Sequence, residues 1–170
     1  MAFFGGTTDW DELGAQTVAI AGDGMLEPQV RVRRVNQLFD KGVPVDFEDQ
    51  DGVTALLAAS VTGHIETISA LVSRGANVDY ETKLQAGTAL IVACAAGKLA
   101  ALGALVRHGA NVDYETSSGM TALIVAAAKG QSKAVAALTE RGATVDHESV
   151  ASQTALTVVR RCRLILSNPR

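Results

Sequence analysis

Three histidines and two cysteines are the side chains of this 170-residue chain that could bind a metal or act as nucleophiles. His64, His108 and His147 stand at unrelated positions and form no ligand set. Cys94 lies inside an apolar run, which favours a small buried residue over a nucleophile. Cys162 lies between two arginines, so an exposed thiol there would have a lowered pKa and be a candidate for redox modification. We therefore expect no catalytic residue, no metal and no cofactor.

Acidic and aromatic residues recur together in four short segments. These segments are Asp46-Phe-Glu48, Asp79-Tyr-Glu81, Asp113-Tyr-Glu115 and Asp146-His-Glu148. Tyrosine is enriched at interfaces because it combines contact area with a polar tip, so we expect a binding edge on which Tyr80 and Tyr114 are at least a third exposed. The alternative is that duplication copied a loop whose rings pack against neighbouring loops. An acidic, aromatic edge would suit a partner with a basic or mixed surface.

The four segments belong to a longer internal repeat. Its glycines are Gly42, Gly75, Gly109 and Gly142, spaced 33, 34 and 33 residues apart. A second motif keeps nearly the same spacing, in Thr54-Ala-Leu-Leu, Thr88-Ala-Leu-Ile, Thr121-Ala-Leu-Ile and Thr154-Ala-Leu-Thr. Two motifs in phase predict a stack of similar units. We call positions related by this spacing equivalent.

Each unit is predicted to contain two short helices and a projecting loop. Thr54 can cap the first helix with its hydroxyl, and residues 56–61 form an apolar run that Gly63 ends. Residues 64–74 place apolar side chains on one stripe, which predicts an amphipathic second helix. Gly75 follows as a left-handed helix end, and we predict positive φ at its equivalents as well. The loop that joins each such glycine to the next capping threonine is called a finger.

This repeat resembles the ankyrin repeat, which has a period of about 33 residues and the motif T-P-L-H-x-A. The chain has Thr54-Ala-Leu-Leu-Ala-Ala at this point, and the family's Gly-His between helices is present as Gly63-His64. The family's G-A-D-V-N segment is similar to Gly75-Ala-Asn-Val-Asp79. The resemblance covers residues 29–163. It implies an all-α solenoid of stacked helix-turn-helix units with projecting β-turn-like fingers.

Two departures from the family pattern affect the fingers. The motif's proline is alanine in all four units, and its histidine is replaced by Leu57, Ile91, Ile124 and Thr157. In the family that histidine usually supports hydrogen bonds between neighbouring loops. We therefore expect fingers that are either more mobile or held by other groups.

The repeat divides the chain into six segments. They are an N-terminal cap with first helix and linker at 1–28, the second helix of a degenerate first unit with its finger at 29–53, ankyrin-like repeats at 54–87, 88–120 and 121–153, and a partial C-terminal repeat at 154–170. Residues 8–21 are predicted to form the cap helix, with Trp10, Leu13, Val18 and Ile20 as its apolar contacts. A solenoid needs such a cap to cover its exposed end.

Composition and charge exclude several classes of function. The net charge is −3, and the first thirty residues hold five acids and no Lys or Arg, which argues against nucleic-acid binding. Two cysteines cannot build a disulfide framework, the start of the chain lacks a basic signal region, and the longest apolar run is eight residues. We expect a cytoplasmic protein that neither enters a membrane nor binds nucleic acid.

The resemblance implies a non-catalytic scaffold for protein-protein interaction, with its partner on a concave face of fingers and first helices. The candidate contact residues are Phe47, Glu48, Tyr80, Glu81, Tyr114, Glu115, His147, Glu148, Val61, Ala95 and Lys129. The alternative is a regulatory or targeting ankyrin domain of a larger protein, which the shortened last unit favours. A basic cluster, Arg31, Arg33 and Arg34, is interpreted as a solvated helix face, with an acidic-partner or phosphate site as the alternative. The partner's identity and the oligomeric state stay open.

Overall fold

The computed structural model describes residues 9–83 and 87–145, and their regular structure is entirely helical. The helices are α1 (Asp9–Gly22), α2 (Pro28–Asp40), α3 (Ala55–Thr62), α4 (Ile65–Ser73), α5 (Ala89–Ala95), α6 (Leu99–Arg107), α7 (Ala122–Ala128) and α8 (Ser132–Thr139). The predicted all-α class is confirmed. The partial repeat predicted at 154–170 lies outside the described residues.

The first helix of each full repeat begins at the threonine predicted to cap it. The threonine hydroxyl oxygen accepts a hydrogen bond from the backbone N–H three residues later. The pairs are Thr54 with Leu57 at 3.2 Å, Thr88 with Ile91 at 3.4 Å and Thr121 with Ile124 at 3.3 Å. All three threonines are buried, so each hydroxyl satisfies a helix N–H that has little access to water.

The helices pack in two layers with a hydrophobic core between them. The first helices α1, α3, α5 and α7 stack on each other, and so do the second helices α2, α4, α6 and α8. Alanines on the first helices, Ala59, Ala93 and Ala126, are fully buried, and their small side chains let neighbouring helices approach closely. Leu71 and Leu105 on the second helices are also fully buried and fill the interior.

The repeat glycines adopt the left-handed backbone conformation that their positions predict. The φ angles are 94° at Gly42, 92° at Gly75, 92° at Gly109 and 87° at Gly142. A Cβ atom on Gly75 or Gly109 would meet no atom within 4 Å. Backbone conformation, and not lack of space, therefore favours glycine at these two positions.

The N-terminal cap and the degenerate first unit contain one predicted helix each, but one of the cap's predicted core residues lies on the surface. Val18 is buried, and Leu13 and Ile20 pack partly against the core. Trp10, which we expected to be a core contact, is 44% exposed. Its ring lies over Gly42, 3.0 Å from the point that a Cβ atom would occupy. The flat indole therefore covers a helix end from outside instead of filling the interior.

Arg31 is buried, which corrects the prediction of a fully solvated arginine cluster. Only 1% of the residue is exposed. Its guanidinium donates from Nε to the Asp23 carbonyl at 2.8 Å and from Nη2 to the Leu26 carbonyl at 2.6 Å. Both carbonyls belong to the linker between α1 and α2, so the arginine satisfies linker groups that helical hydrogen bonds do not reach. Arg33 and Arg34 are exposed, as predicted.

Candidate functional site

The fingers are tied to each other by their aspartates. Each aspartate carboxylate accepts a hydrogen bond from a backbone N–H of the next finger. The bonds run from Asn77 to Asp46 at 3.2 Å to either oxygen, from Asn111 to Asp79 at 3.0 and 3.2 Å, and from Thr144 to Asp113 at 2.8 Å. These bonds connect the loops in a chain that lacks the family's histidine. The sequence left two alternatives, fingers that are more mobile or fingers held by other groups. In the structure, the fingers are held by other groups.

A second row of bonds joins the ring of one finger to the glutamate of the finger before it. The Tyr80 hydroxyl donates to Glu48 Oε1 at 2.7 Å, and the Tyr114 hydroxyl donates to Glu81 Oε2 at 3.2 Å. Both tyrosines are half-buried. Their polar tips, which we expected to face a partner, are bonded within the protein. This arrangement agrees with the alternative in which the rings lie against neighbouring loops.

Glu81 accepts further bonds from the finger that follows it. The Ser117 hydroxyl donates to Oε1 at 2.6 Å, and the Ser117 N–H donates to the same oxygen at 2.9 Å. The Ser117 hydroxyl, with its N–H and Tyr114, lowers the pKa of Glu81 because all three stabilise the carboxylate. The bond to Glu48 raises the pKa of Tyr80, because ionisation would place a second negative charge there. The carboxylates of Glu48 and Glu81 therefore already accept hydrogen bonds within the protein before any partner binds.

Phe47 takes the ring position in the first finger and packs against the cap. Its ring lies so close to Gly14 of α1 that a Cβ atom at that glycine would overlap the ring carbons. The phenylalanine is half-buried and contacts the edge of the core. Phe47 therefore anchors the first finger to α1, a role that sequence reasoning missed. Gly14 was the available signal, since a glycine inside a helix lowers its stability and is unusual there without a packing reason.

The remaining finger residues complete the row only in part. Glu115 is half-buried and takes part in an interaction within the protein. His147 and Glu148, the predicted fourth rung, lie outside the described residues. Their place in the row stays a prediction.

The other predicted contact residues lie on the first helices and their ends. Val61 on α3 is 44% exposed, Ala95 on α5 is half-buried, and Lys129 after α7 is exposed. Ala128, and not Lys129, is the residue equivalent to Val61 and Ala95. A neighbouring set of equivalent residues was missed by sequence reasoning although the repeat register relates them. It consists of the half-buried side chains of Ala58, Val92 and Val125.

These two sets form a surface that we call the inner face. It consists of Ala58, Val61, Val92, Ala95, Val125 and Ala128. The helices that carry it, α3, α5 and α7, contain no charged residue. The inner face is therefore apolar and made of small side chains.

Residues 9–83 and 87–145 contain no group of three His, Cys, Asp or Glu side chains that could hold a metal ion. Cys94 is fully buried, and burial raises the pKa of its thiol to about 12, so the nucleophilic thiolate does not form at neutral pH. Cys162 lies outside the described residues. None of the helices in this part of the chain combines the length and apolar character that a membrane span requires.

The two described histidines lie at opposite ends of second helices. His108 follows α6, and its Nε2 lies 3.1 Å from Ser69 Oγ on α4. His64 precedes α4, and its Nε2 is buried without a hydrogen-bond partner among the described residues. Burial, and after it the charge of Arg31, lowers the pKa of His64, which favours the neutral ring.

Comparison with known proteins adds one finding to this geometry. A family profile described as ankyrin repeats, in three copies, matches residues 29–113 and 75–149. The two matches overlap and extend from α2 to the finger after α8. A search of curated proteins found no match.

Proposed function

The chain belongs to the ankyrin-repeat family, and from this premise we propose that it is a non-catalytic scaffold that binds a protein partner on the inner face and the fingers beside it. Ankyrin repeats are generally modules of protein-protein interaction. The proposal assigns the partner's contact area to the first helices and gives the fingers the role of a rigid border.

The exposure of the inner face is the observation that carries the proposal. Helices as apolar as α3, α5 and α7 are normally enclosed on all sides. Here Val61 is 44% exposed, and the equivalent residues on α5 and α7 are not buried. A contiguous apolar strip beside polar loops is typical of an interface. The strip lacks charge, so the partner segment that covers it is apolar as well.

In this proposal, the fingers favour binding mainly because they are already ordered, and less through the energy of their own contacts with the partner. The first three fingers are bonded in succession through an aspartate and through a tyrosine-glutamate pair, and the third finger is bonded to the fourth through Asp113. A border that is already ordered loses little conformational freedom when a partner binds, which favours affinity. We propose that the predicted finger residues flank the partner, including His147 and Glu148, and that a basic or mixed partner surface meets their acids.

The exposed side of the fingers offers a further set of contacts. Asn77 and Asn111 are equivalent and exposed. Their side-chain oxygens accept the N–H groups of Asp79 and Asp113, at 3.1 and 3.0 Å. This geometry leaves the amide Nδ2 groups available as hydrogen-bond donors toward the carbonyls of a partner.

A pair of charge-introducing variants tests the proposal. Val61→Glu places a carboxylate in the inner face, while Leu99→Glu makes the same kind of change at a 38% exposed leucine on the second-helix layer. Partners captured by the parent protein are purified, and their affinities for both variants are measured by calorimetry. We expect at least about a tenfold loss with Val61→Glu, since an unpaired charge would be desolvated, and parental affinity with Leu99→Glu.

Circular dichroism and a thermal melt establish that both variants fold. Parental affinity in a folded Val61→Glu variant would exclude the inner face as the binding surface. Equal losses in both variants would point to an effect unrelated to the inner face and would also contradict the proposal.

A further inference from the structure

The residues that follow α4 and α6 each contact the second helix of the preceding repeat. Arg74 follows α4, and its Nη1 lies 2.7 Å from Asp40 Oδ1 on α2. One repeat later, His108 follows α6, and its Nε2 lies 3.1 Å from Ser69 Oγ on α4. In both steps a nitrogen of the later repeat meets an oxygen of the earlier one.

The third step lacks this oxygen. Arg141 is equivalent to Arg74 and His108, and it reaches from the end of α8 onto α6. On α6, Gly103 stands at the position equivalent to Ser69 and so offers no hydroxyl. Arg107 stands at the position equivalent to Asp40. A second cation thus stands where the first step has an acid, and a glycine stands where the second step has a hydroxyl.

Two guanidinium groups therefore lie over the same buried residue of α6. Arg107 Nη1 and Arg141 Nη2 lie 3.8 and 3.9 Å from the point that a Cβ atom of Gly103 would occupy. Arg141 is held in place because its Nη1 donates to the Ala137 carbonyl at 2.8 Å. Arg107 has no hydrogen-bond or ion-pair partner within residues 9–83 and 87–145. Both arginines are exposed, so the nitrogens are open to a ligand.

We propose that Arg107 and Arg141 form a binding site for a phosphate-type dianion above Gly103. Two guanidinium groups carry two positive charges, and each can donate two parallel hydrogen bonds to an oxyanion. A phosphate group carries about −1.5 to −2 charges at pH 7 and has three acceptor oxygens, so it matches the pair better than a single carboxylate does. Gly103 itself is buried, so the phosphate would bind on the exposed side of the two guanidinium groups.

This site is independent of the proposed partner surface. It lies on α6 and α8, in the second-helix layer, whereas the inner face lies on the first helices. The phosphate could be a free ion or part of a phosphorylated side chain. A phosphoserine peptide and its unphosphorylated form, tested beside inorganic phosphate, distinguish these two sources.

The test compares phosphate binding to the parent and to three variants by calorimetry at low ionic strength, because salt screens an exposed charge pair. Arg107→Asp introduces a carboxylate where Asp40 pairs with Arg74, so it should satisfy Arg141 internally. We expect this variant to bind phosphate at least about tenfold more weakly than the parent. Lys41→Asp is the control, since it also replaces an exposed cation with an acid, at the end of α2, and should retain parental affinity.

Arg107→Gln removes the charge without adding an acid, and it is the second variant in case Arg107→Asp does not fold. The site is supported if both Arg107 variants lose phosphate binding while Lys41→Asp keeps it. Binding of the phosphoserine peptide but not of the serine peptide assigns the site to modified partners, and binding of inorganic phosphate alone assigns it to the free ion. Absence of phosphate binding by the parent, or equal binding by folded Arg107 variants, overturns the proposal.

Discussion

The Tyr80 hydroxyl donates a 2.7 Å hydrogen bond to Oε1 of Glu48, which belongs to the finger before it. Tyr114 and Glu81 repeat this relationship one step later in the stack. Ring and acid therefore stabilise each other across the boundary between repeats. Substitutions in the fingers will change the stability of the stack as well as any surface that it presents.

Replacing Tyr80 and Tyr114 together with phenylalanine should lower the free energy of unfolding by about 1–3 kcal/mol, because two hydrogen bonds to carboxylates are lost while both rings remain. Urea unfolding measures this change. An unfolding midpoint equal to that of the parent would show that the bonds to Glu48 and Glu81 contribute nothing to stability.

Replacing Gly109 with valine should destabilise the protein by roughly 1–2 kcal/mol or more, because its φ of 92° is strained for a residue with a β-branched side chain. Gly24→Val is the control. Gly24 is exposed, a Cβ atom there meets nothing within 4 Å, and its φ lies outside the left-handed range. A thermal melt of Gly109→Val that matches the parent, with Gly24→Val also unchanged, would contradict this account.

Stability should fall as the pH drops below about 6.5, because the folded state holds His64 in its neutral form. Burial, and then Arg31, lowers the pKa of His64 from 6.5 in the folded protein. The unfolded chain therefore binds a proton at a higher pH than the native protein does, and protonation favours unfolding in this range. Lys98 acts in the same direction as Arg31, while Glu66 and Asp23 oppose them.

Unfolding in urea at about pH 7.5 and about pH 5.5 measures this effect. His64→Gln is the comparison variant, since Gln131 occupies the equivalent position and donates to the Ala95 carbonyl at 3.2 Å. We expect the parent to lose more stability than the variant between these two pH values. An equal loss in both proteins would show that other groups cause the pH dependence.

Hydrogen exchange should be slowest in the helices α3, α4, α5 and α6, because each of them packs against a helix of the unit before and of the unit after. Units in a stacked array are stabilised mainly by their neighbours, so the ends open first. We expect faster exchange in α1, which has a neighbouring unit on one side only. Mass spectrometry of exchanged peptides measures this gradient, and uniform protection from residue 9 to residue 145 would contradict it.

Much of the fold could be predicted because it depends on residues only a few positions apart. The cap formed by Thr54 needs only the N–H of Leu57, and the left-handed turn at Gly75 is a property of a single residue. The apolar stripe of the second helices repeats within one helix. Sequence patterns record such relationships directly.

The candidate site was predicted only in part, because a pattern does not show where a side chain points. Arg31 and Arg33 stand two positions apart in one helix, and only the packed linker shows that Arg31 is the buried one. Trp10 has the character of a core residue, yet it lies over Gly42 at the surface. The inner-face residues Val92 and Val125 were hidden in an apolar run that offers no contrast between its sides.

By itself, the sequence determined the period of the repeat, the ends of its helices and the family to which the chain belongs. Tertiary structure alone decided which groups meet between repeats, because stacking brings together side chains about one repeat apart. Glu48 accepts a hydrogen bond from Tyr80 and Asp40 pairs with Arg74, whereas Arg141 finds Gly103 and Arg107 on the earlier repeat, neither of which offers it an acid or a hydroxyl. Equivalent arginines thus form an ion pair in one step and lie beside a second cation in another. The difference is set by the residue opposite, which is Asp40 for Arg74 and Arg107 for Arg141.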